Sequence, residues 1–525
     1  MKKLSATGLA ALSGILLFAA WPVSSLTALI FVAWVPLLYV ADRVPKRLSF
    51  FLYAFVTTLL WNASTTWWIW NSTDVGAISA IIANSLIMTV PWWGYHAFKT
   101  RQKRITGYAA LVFFWMTFEY IHLNWQLSWP WLTLGNVFAV HPDWVQWYDL
   151  TGTSGGSLWI LLLNVLLYDA FMAAENKKGR LKELLAAAAL IALPLLFSVL
   201  HKPAEESAAA IAASKNVIIV QPNIDPYDEK FDARTVASQM NLLVSLSEQA
   251  IDSNTRLVLW PETALSAAVW QDELQGVSVY KPVFDFVKRH PAITLETGAE
   301  CFKSYGTSKE TLTARLNETD NTYYDVFNTA VSAKAGAPLQ FYNKSKLVPG
   351  VETLPDFLLW MGPVFEKFGG TSGGYGRSKT SAVFAQQGNP YVTAPIICYE
   401  SIYGEYVASY VNKGANLLTI MTNDGWWGNT PGHKQHLAYA RLRAIETRKW
   451  VVRSANTGIS AVIDKRGEII NTRPWDKAAF IKASIPVETG ETFYVQYGDL
   501  LSKIAVAFTI ILIGLHIYTR FKNRR

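Results

Sequence analysis

Eight runs of this chain approach the length and apolarity that a lipid bilayer demands of a crossing helix. Such a helix needs about 20 mostly apolar residues. By that rule the candidates are roughly 5–21, 25–41, 50–70, 77–98, 106–123, 156–174, 183–200 and 500–519. The third run is interrupted by Asn62, Ser64 and Thr65. Basic residues fill every second loop: Lys2 and Lys3, then Arg43, Lys46 and Arg47, then Lys99, Arg101, Lys103 and Arg104. Lys177, Lys178, Arg180 and Lys182 follow the sixth run, and Arg520, Lys522, Arg524 and Arg525 follow the last. The positive-inside rule then puts both termini in the cytoplasm and residues 201–499 outside. Residues 1–20 read as a cleaved signal peptide (Lys2-Lys3, an apolar core, Phe18-Ala19-Ala20) or as a retained anchor, which is the expectation adopted.

Composition supports a division into three parts. Hydrophobic residues make up 51% of the chain and charged residues 16%, and the apolar excess falls mostly in 1–201, so the remainder has to fold as ordinary globular protein. The expected parts are a helical bundle of about seven spans over 1–201, an outer domain over 202–495, and a final helix with a basic cytoplasmic tail over 496–525. The net charge of +8 is concentrated in loops between apolar runs rather than on one amphipathic face, which argues against a nucleic-acid partner. The two cysteines, Cys301 and Cys398, could pair but form no disulfide framework, and a lone thiol in an oxidising compartment is a reactive group.

The loop from about 124 to 155 holds Trp125, Trp129, Trp131, Trp144 and Trp147. Indoles of this kind form a belt at the lipid–water boundary or a shelf that guides acyl chains. Trp129-Pro130-Trp131-Leu132 reads as an ordered turn. Glu119, near the outer end of the fifth run, is expected to face the protein interior and to have a partner. Intramembrane charges are otherwise scarce, which disfavours an ion-coupled transporter.

Residues 215–490 alternate between two periods. Runs at 216–221, 256–260, 293–297, 326–332, 339–342, 391–398, 417–422 and 451–454 are short, rich in Val, Ile and aromatics, and bounded by turn residues, as strands are. Apolar residues recur at helical spacing over 233–252, 402–412 and 434–448. The alternation predicts a layered α/β domain.

Three reactive side chains stand at the ends of strand-like runs, where ligand sites of α/β sheets collect: Glu262, Lys344 and Cys398. A thiol needs a base or a lowered pKa to become a nucleophile, and Glu262 can accept its proton. Lys344 and the backbone N–H of Tyr399 can stabilise the oxyanion formed when sulfur attacks a carbonyl. Each residue also has an ordinary reading: Cys398 as core, Glu262 after Pro261 as a turn, Lys344 as an edge-strand charge. Spacing alone leaves those readings open.

The surrounding motifs bear on this choice. Trp260-Pro261-Glu262, Tyr342-x-Lys344-x-x-Leu347-Val348-Pro349-x-x-Glu352 and Ile397-Cys398-Tyr399-Glu400 resemble the three catalytic motifs of the carbon–nitrogen hydrolase (nitrilase) superfamily. Asn423-Asp424-Gly425-Trp426-Trp427-Gly428, Gln435-His436, Arg443-Ala444-Ile445-Glu446 and Ser454-Ala455-Asn456-Thr457-Gly458 resemble its membrane branch, the apolipoprotein N-acyltransferases. The resemblance extends to Trp129-Pro130-Trp131-Leu132 and to the single C-terminal span. Two positions depart from the family pattern: Gly350-Val351 stands before Glu352 in place of Phe-Gly, and Phe231 stands in place of a Trp.

The resemblance implies an αββα sandwich on a polytopic helical bundle of about eight spans, in a bacterial inner membrane, with the catalytic domain on the periplasmic side. It implies a ping-pong reaction without cofactor or metal. Cys398 takes an acyl chain from a phospholipid as a thioester, then passes it to the α-amino group of a diacylglyceryl-cysteine at an apolipoprotein N-terminus. By the same resemblance Glu262 is the base, Lys344 the oxyanion stabiliser, and Glu352 and Glu400 hold Lys344 charged and placed. The Trp426-Trp427 pair is a candidate acyl-chain contact, with core packing as its other reading, and Phe231 is the aromatic expected near the site to support or bind substrate. His433 and His436 lack the further ligands a metal site needs. The competing readings are a membrane-anchored amidase or nitrilase using the same trio, and a transporter or sensor with an outer α/β domain.

Overall fold

The computed structural model describes residues 4–99, 104–176, 179–362 and 374–522. Lys2, Lys3, Arg101, Lys103, Lys177, Lys178, Arg524, Arg525 and the side chain of Arg520 lie outside the described residues. The chain divides into two units, one within Met1–Trp70, Asp74–Lys202 and Tyr497–Arg525, the other Asn71–Thr73 and Pro203–Gln496.

The first unit is helical, and it corrects the expected count of eight spans. Among the described residues five helices are long and apolar enough to cross a membrane: Arg47–Asn71, Asp74–Lys99, Thr153–Glu175, Leu181–His201 and Leu500–Thr519. The expected first span is a helix of 15 residues, Ala6–Ala20, about 22 Å long at 1.5 Å per residue and short of a bilayer core. The run at 25–41 is not one helix. It breaks into a 3-10 turn, Thr27–Phe31, and a nine-residue helix, Val35–Arg43. Asn164 satisfies the backbone at that break: its Oδ1 accepts from Trp34 N at 2.8 Å and its Nδ2 donates to Ile30 O at 2.9 Å. The fifth run is a helix of 21 residues, Arg104–Asn124, whose Arg104, Glu119, His122 and Asn124 lower its apolarity. Asn62, Ser64 and Thr65 do not interrupt their helix: Arg47–Thr66 is continuous, and Asn62 Nδ2 donates back to Thr58 O at 2.8 Å.

Buried indoles build the interior of this bundle. Trp34 packs on Trp61, Trp92 and Trp115 with ring centroids 5.8, 4.8 and 5.2 Å apart. In the 124–155 loop Trp131 and Trp147 are buried rather than set in a boundary belt, and short 3-10 turns such as Pro130–Leu132 order the segment. Glu119 faces inward, accepting from Trp115 Nε1 at 2.8 Å and Leu134 N at 2.7 Å. Charges tie several helix ends together: Lys99 to Asp42, Arg104 to Asp169, and Arg43 to Glu175 at 3.2 Å. The Leu500–Lys522 helix joins this unit, with Thr117 and Thr509 hydroxyls 2.8 Å apart and Phe113 stacked on Phe508.

The second unit is an α/β sandwich. The first sheet comprises β1 (Lys215–Gln221), β2 (Thr255–Leu259), β3 (Leu265–Trp270), β4 (Thr294–Ser304), β5 (Arg315–Asn317), β6 (Thr322–Lys334), β7 (Gln340–Asn343) and the late strand at Ala479–Ile485. The second comprises β8 (Phe384–Ala385), β9 (Val392–Ile397), β10 (Leu417–Thr422), β11 (Trp450–Ala455), β12 (Ala461–Ile463) and β13 (Ile469–Thr472), which makes the late strand β14. The strand orders are β14-β1-β2-β4-β6-β5, with β3 on β4 and β7 on β6, and β13-β12-β11-β10-β9-β8. Successive side chains on a strand face opposite sides, so each buried strand serves two layers. Val217, Ile219, Leu257 and Leu259 join a core with Ile396, Leu418 and Val452 of the other sheet. Their neighbours Ile218, Val220, Val258 and Trp260 pack with Met240, Leu243, Val283 and Phe286 of the Val236–Glu248 and Lys281–Arg289 helices. Helices Gly404–Val411 and Pro431–Thr447 contribute Val407, Tyr410, Leu437 and Ala444 beside the second sheet, completing four layers.

Parallel pairing positions the site. β1, β2 and β4 are parallel, as are β9, β10 and β11, and helical crossovers connect such strands. Carboxyl ends of neighbouring strands therefore share one edge, where the next residues are free to carry chemistry. Glu296 of β4 reaches between the sheets and accepts from the hydroxyls of Thr393 and Thr419.

Candidate active site

Glu262, Lys344 and Cys398 follow β2, β7 and β9, and all three are buried. Each is held by its own local structure. Glu262 precedes a tight turn with Thr263 at φ +45°. That turn presses on β4 at Gly298, where a Cβ would lie 2.3 Å from Thr263 N and 2.7 Å from Glu262 Cα, so only glycine fits. Cys398 opens a 3-10 turn, Cys398–Ile402, at φ +50°, a conformation that a side-chain-bearing residue rarely adopts. Lys344 leaves β7 with its N–H donating to Asn328 O at 2.8 Å.

The ammonium of Lys344 is the centre of the cluster. Its Nζ is 3.2 Å from Glu262 Oε1 and 2.8 Å from Glu352 Oε1, and the residue is 1% exposed. Asn328 Nδ2 donates to Glu262 Oε1 at 2.7 Å and reaches Glu352 Oε1 at 3.4 Å. Asn423 N, just past β10, donates to Glu262 Oε2 at 3.1 Å. Val348 N donates to Glu352 Oε2 at 2.8 Å, which fixes the loop after Gly350-Val351 despite its departure from the family pattern. Burial opposes the charge of Lys344, but Glu262 and Glu352 outweigh it and hold the amine well above its ordinary range.

The thiol is shifted the other way. Burial, then the charge of Glu262, push the pKa of Cys398 up, against the pull of Lys344. Cys398 therefore rests as a thiol, and a base has to take its proton as the sulfur reacts. Cys301 is a free, buried thiol pushed up to about 12 by burial, and it packs in the helix-covered core of the first sheet, unpaired with Cys398.

Glu400 reaches Lys344 through that residue's loop. It does not hydrogen-bond the Lys344 ammonium. Its Oε1 accepts from Ser345 N at 2.7 Å, Lys346 N at 3.2 Å and Tyr342 OH at 2.6 Å, and its Oε2 from Ile397 N at 3.0 Å. It thus joins the loop that carries Lys344 to the strand that carries Cys398. Burial raises its pKa despite these donors. Tyr399 is buried, with its ring 5.3 Å from Tyr403. Phe231 is exposed and stacks on Trp426 at 6.2 Å, while Tyr227 meets Trp426 edge-on at 5.3 Å, so these three form an aromatic group at the surface of this unit.

Several neighbours escaped the reading of strand ends. Asn328 lies inside β6 with no motif around it. Lys230 donates from Nζ to the backbone O of Glu262 at 2.7 Å. A buried chain supports the Cys398 turn: Arg453 Nη2 donates to Asp424 Oδ2 at 2.5 Å, and Asp424 Oδ1 lies 3.0 Å from His436 Nδ1. His436 Nε2 lies 3.2 Å from Cys398 O and 2.9 Å from Ser401 Oγ, which itself donates to Cys398 O at 2.7 Å. Burial works against the Asp424 carboxylate, yet Arg453 and His436 hold its pKa below the usual range.

Comparison with known proteins matches this architecture. Residues 216–494 match the carbon-nitrogen hydrolase family, and residues 13–166 match the apolipoprotein N-acyltransferase N-terminal domain. The chain is 32% identical over 518 residues to the apolipoprotein N-acyltransferase of Chlorobaculum tepidum, covering 95% of this chain and 94% of that one. It is 28% identical over 527 residues to the enzyme of that name from Geobacter metallireducens, covering 97% and 94%. An amidase of the nitrilase superfamily from Nesterenkonia overlays on 55% of this chain and 95% of its own, with 14% identity and a TM-score of 0.35. On the near-full-length match and the two domain matches, this multi-pass membrane chain belongs to the apolipoprotein N-acyltransferase family.

Proposed function

We propose that this protein acylates the amino terminus of apolipoproteins in two half-reactions through Cys398. In the first, Glu262 takes the Cys398 proton as sulfur attacks the ester carbonyl of a phospholipid, and the oxyanion forms beside the Lys344 ammonium. The ester C–O bond breaks, the lysophospholipid oxygen takes the proton from Glu262, and the acyl chain stays as a thioester. In the second, the α-amino group of a diacylglyceryl-cysteine attacks the thioester and gives a proton to Glu262. The C–S bond breaks, an amide forms, and Glu262 returns the proton to sulfur.

The observation that carries this reading is the Lys344 ammonium bridging Glu262 and Glu352 beside a thiol on a strained turn. A resting thiol next to a carboxylate suits base-assisted attack better than a stored thiolate. Glu352 acts on Lys344 directly, and Glu400 through the backbone of Ser345 and Lys346 and the hydroxyl of Tyr342.

We also place the catalytic unit on the outer side of a bacterial cytoplasmic membrane. Lys99 and Arg104 stand before the Arg104–Asn124 helix, and Arg180 and Lys182 after Thr153–Glu175. Basic loops on one side at both points require two crossings between them, so Arg104–Asn124 crosses although it is not among the five helices that length and apolarity alone mark as spans. The Arg104–Asp169 pair, joining the start of the first of these helices to the end of the second, accords with that path.

The test is a chase. Protein loaded from a phospholipid with labelled acyl chains is mixed with a lipopeptide bearing a free diacylglyceryl-cysteine amine. Label should move to the lipopeptide amine faster than it appears as free fatty acid. Release as free acid alone, with no acylated lipopeptide, would mark the protein as a hydrolase.

A further inference from the structure

A second buried amine stands beside the three reactive residues. Lys230 is 1% exposed. Its backbone is fixed on both sides: Lys230 N donates to Asp225 O at 2.9 Å, and Gln239 Nε2 donates to Glu229 O at 3.0 Å and to Lys230 O at 3.2 Å. The side chain is thus aimed, and its Nζ donates to the backbone O of Glu262 at 2.7 Å. That is its one hydrogen bond among the described residues, although an ammonium has three protons to give. Its Nζ also lies 5.9 Å from the centroid of the Phe231 ring, a cation–π contact. The titratable groups facing it are Glu262 after β2 and Cys398 after β9, and Lys344 bonds the carboxylate of the same Glu262 whose carbonyl Lys230 holds.

We propose that Lys230 is a positioning residue for Glu262 in the acylation of Cys398, and that it does this in its charged form. The inference rests on the two-step reading above. Charged, Lys230 grips the carbonyl of the turn at Thr263 and adds positive potential where the thiol proton leaves and the oxyanion appears. Neutral, it keeps a weaker hydrogen bond and loses that potential. Burial brings its pKa down to about 8, against the partial restoring pull of Glu262. Lys230 is therefore charged below about pH 8 and neutral above it, so acylation should weaken as pH rises through that value.

The experiment uses full-length protein in detergent and phosphatidylglycerol with labelled acyl chains, whose head group has no amine to titrate. The rate of hydroxylamine-sensitive labelling is followed from about pH 6 to about pH 10 in native protein, Lys230→Arg and Lys230→Met, where an arginine stays charged throughout. The ratio of native to Lys230→Arg rates should fall about tenfold between about pH 7 and about pH 9, as one site near pH 8 dictates. Lys230→Met should label slowly, with no alkaline decline of its own. A ratio that stays flat, or a decline that persists in Lys230→Met, would overturn the proposal and leave Lys230 a structural tie. If Lys230→Met fails to fold, the Lys230→Arg comparison decides alone. Label found away from Cys398 would instead overturn the two-step reading beneath it.

Discussion

Lys344→Met is expected to lower both activity and stability. The substitution leaves Glu262 and Glu352 facing each other in a dry pocket with Asn328 as their shared donor. Breaking a buried ion pair by removing one partner costs about 3–5 kcal/mol. Losing a donor at a developing oxyanion costs about 10²–10³ in rate. A thermal melt and the rate of acyl-adduct formation read the two effects separately. The sign with pH is fixed by Lys344, whose pKa is held well above its ordinary value. Stability from a raised lysine pKa is fully present below the unfolded value and is lost as pH climbs through the folded one. The stability deficit should therefore persist unchanged across neutral and mildly alkaline pH. An unaltered melt would mean the two carboxylates need no cation.

Glu262→Gln should have the largest effect on rate for the least change in fold. The amide keeps the volume and one acceptor oxygen, but that oxygen can serve either Asn328 and Lys344 or Asn423 N, not both sides as the carboxylate does. The amide NH₂ must face one set of donors, which costs about 1–3 kcal/mol. Loss of the base costs about 10²–10⁴ in acylation, because the thiol rests protonated. Near-ultraviolet circular dichroism should remain native while labelling by phospholipid collapses. Native labelling rates in Glu262→Gln would remove Glu262 as the base.

The reach of the sequence depended on the kind of constraint involved. Glu262, Lys344 and Cys398 were visible because each ends an apolar run of strand length, and the motifs around them tied the three together. Asn328 was not visible, since a polar residue in mid-strand is indistinguishable from an ordinary one until β7 pairs with β6 and brings Lys344 beside it. Glu400 was read as helping to hold Lys344 charged and placed, but its bonds to the backbone N–H groups of Ser345, Lys346 and Ile397 are marked by no sequence pattern. His436 was weighed as a metal ligand, and its actual partners, Asp424 and Arg453, come from the end of β10 and from β11.

The fold was legible in the same uneven way. Interior parallel strands are nearly continuous apolar runs, so β1, β2, β9, β10 and β11 were found within a residue or two. β3, β5, β8, β12, β13 and β14 were not among the expected strands; β5 and β13 are largely exposed, and β14 alternates, so none carries a long apolar run. Lys281–Arg289, a nine-residue helix with a one-sided apolar face, was not among the expected helices. The span count was too high because hydropathy is blind to where a helix stops. At 25–41 the break is held by Asn164, which lies far along the chain.

The central claim is that acyl transfer passes through sulfur at position 398. Full-length protein incubated with a labelled phospholipid, and no acceptor, is digested and each labelled peptide is sequenced by mass spectrometry. The account predicts one adduct, on Cys398, released by hydroxylamine and absent from Cys398→Ala protein that melts like the native one. An adduct on any other residue, or equal labelling of Cys398→Ala, would contradict it.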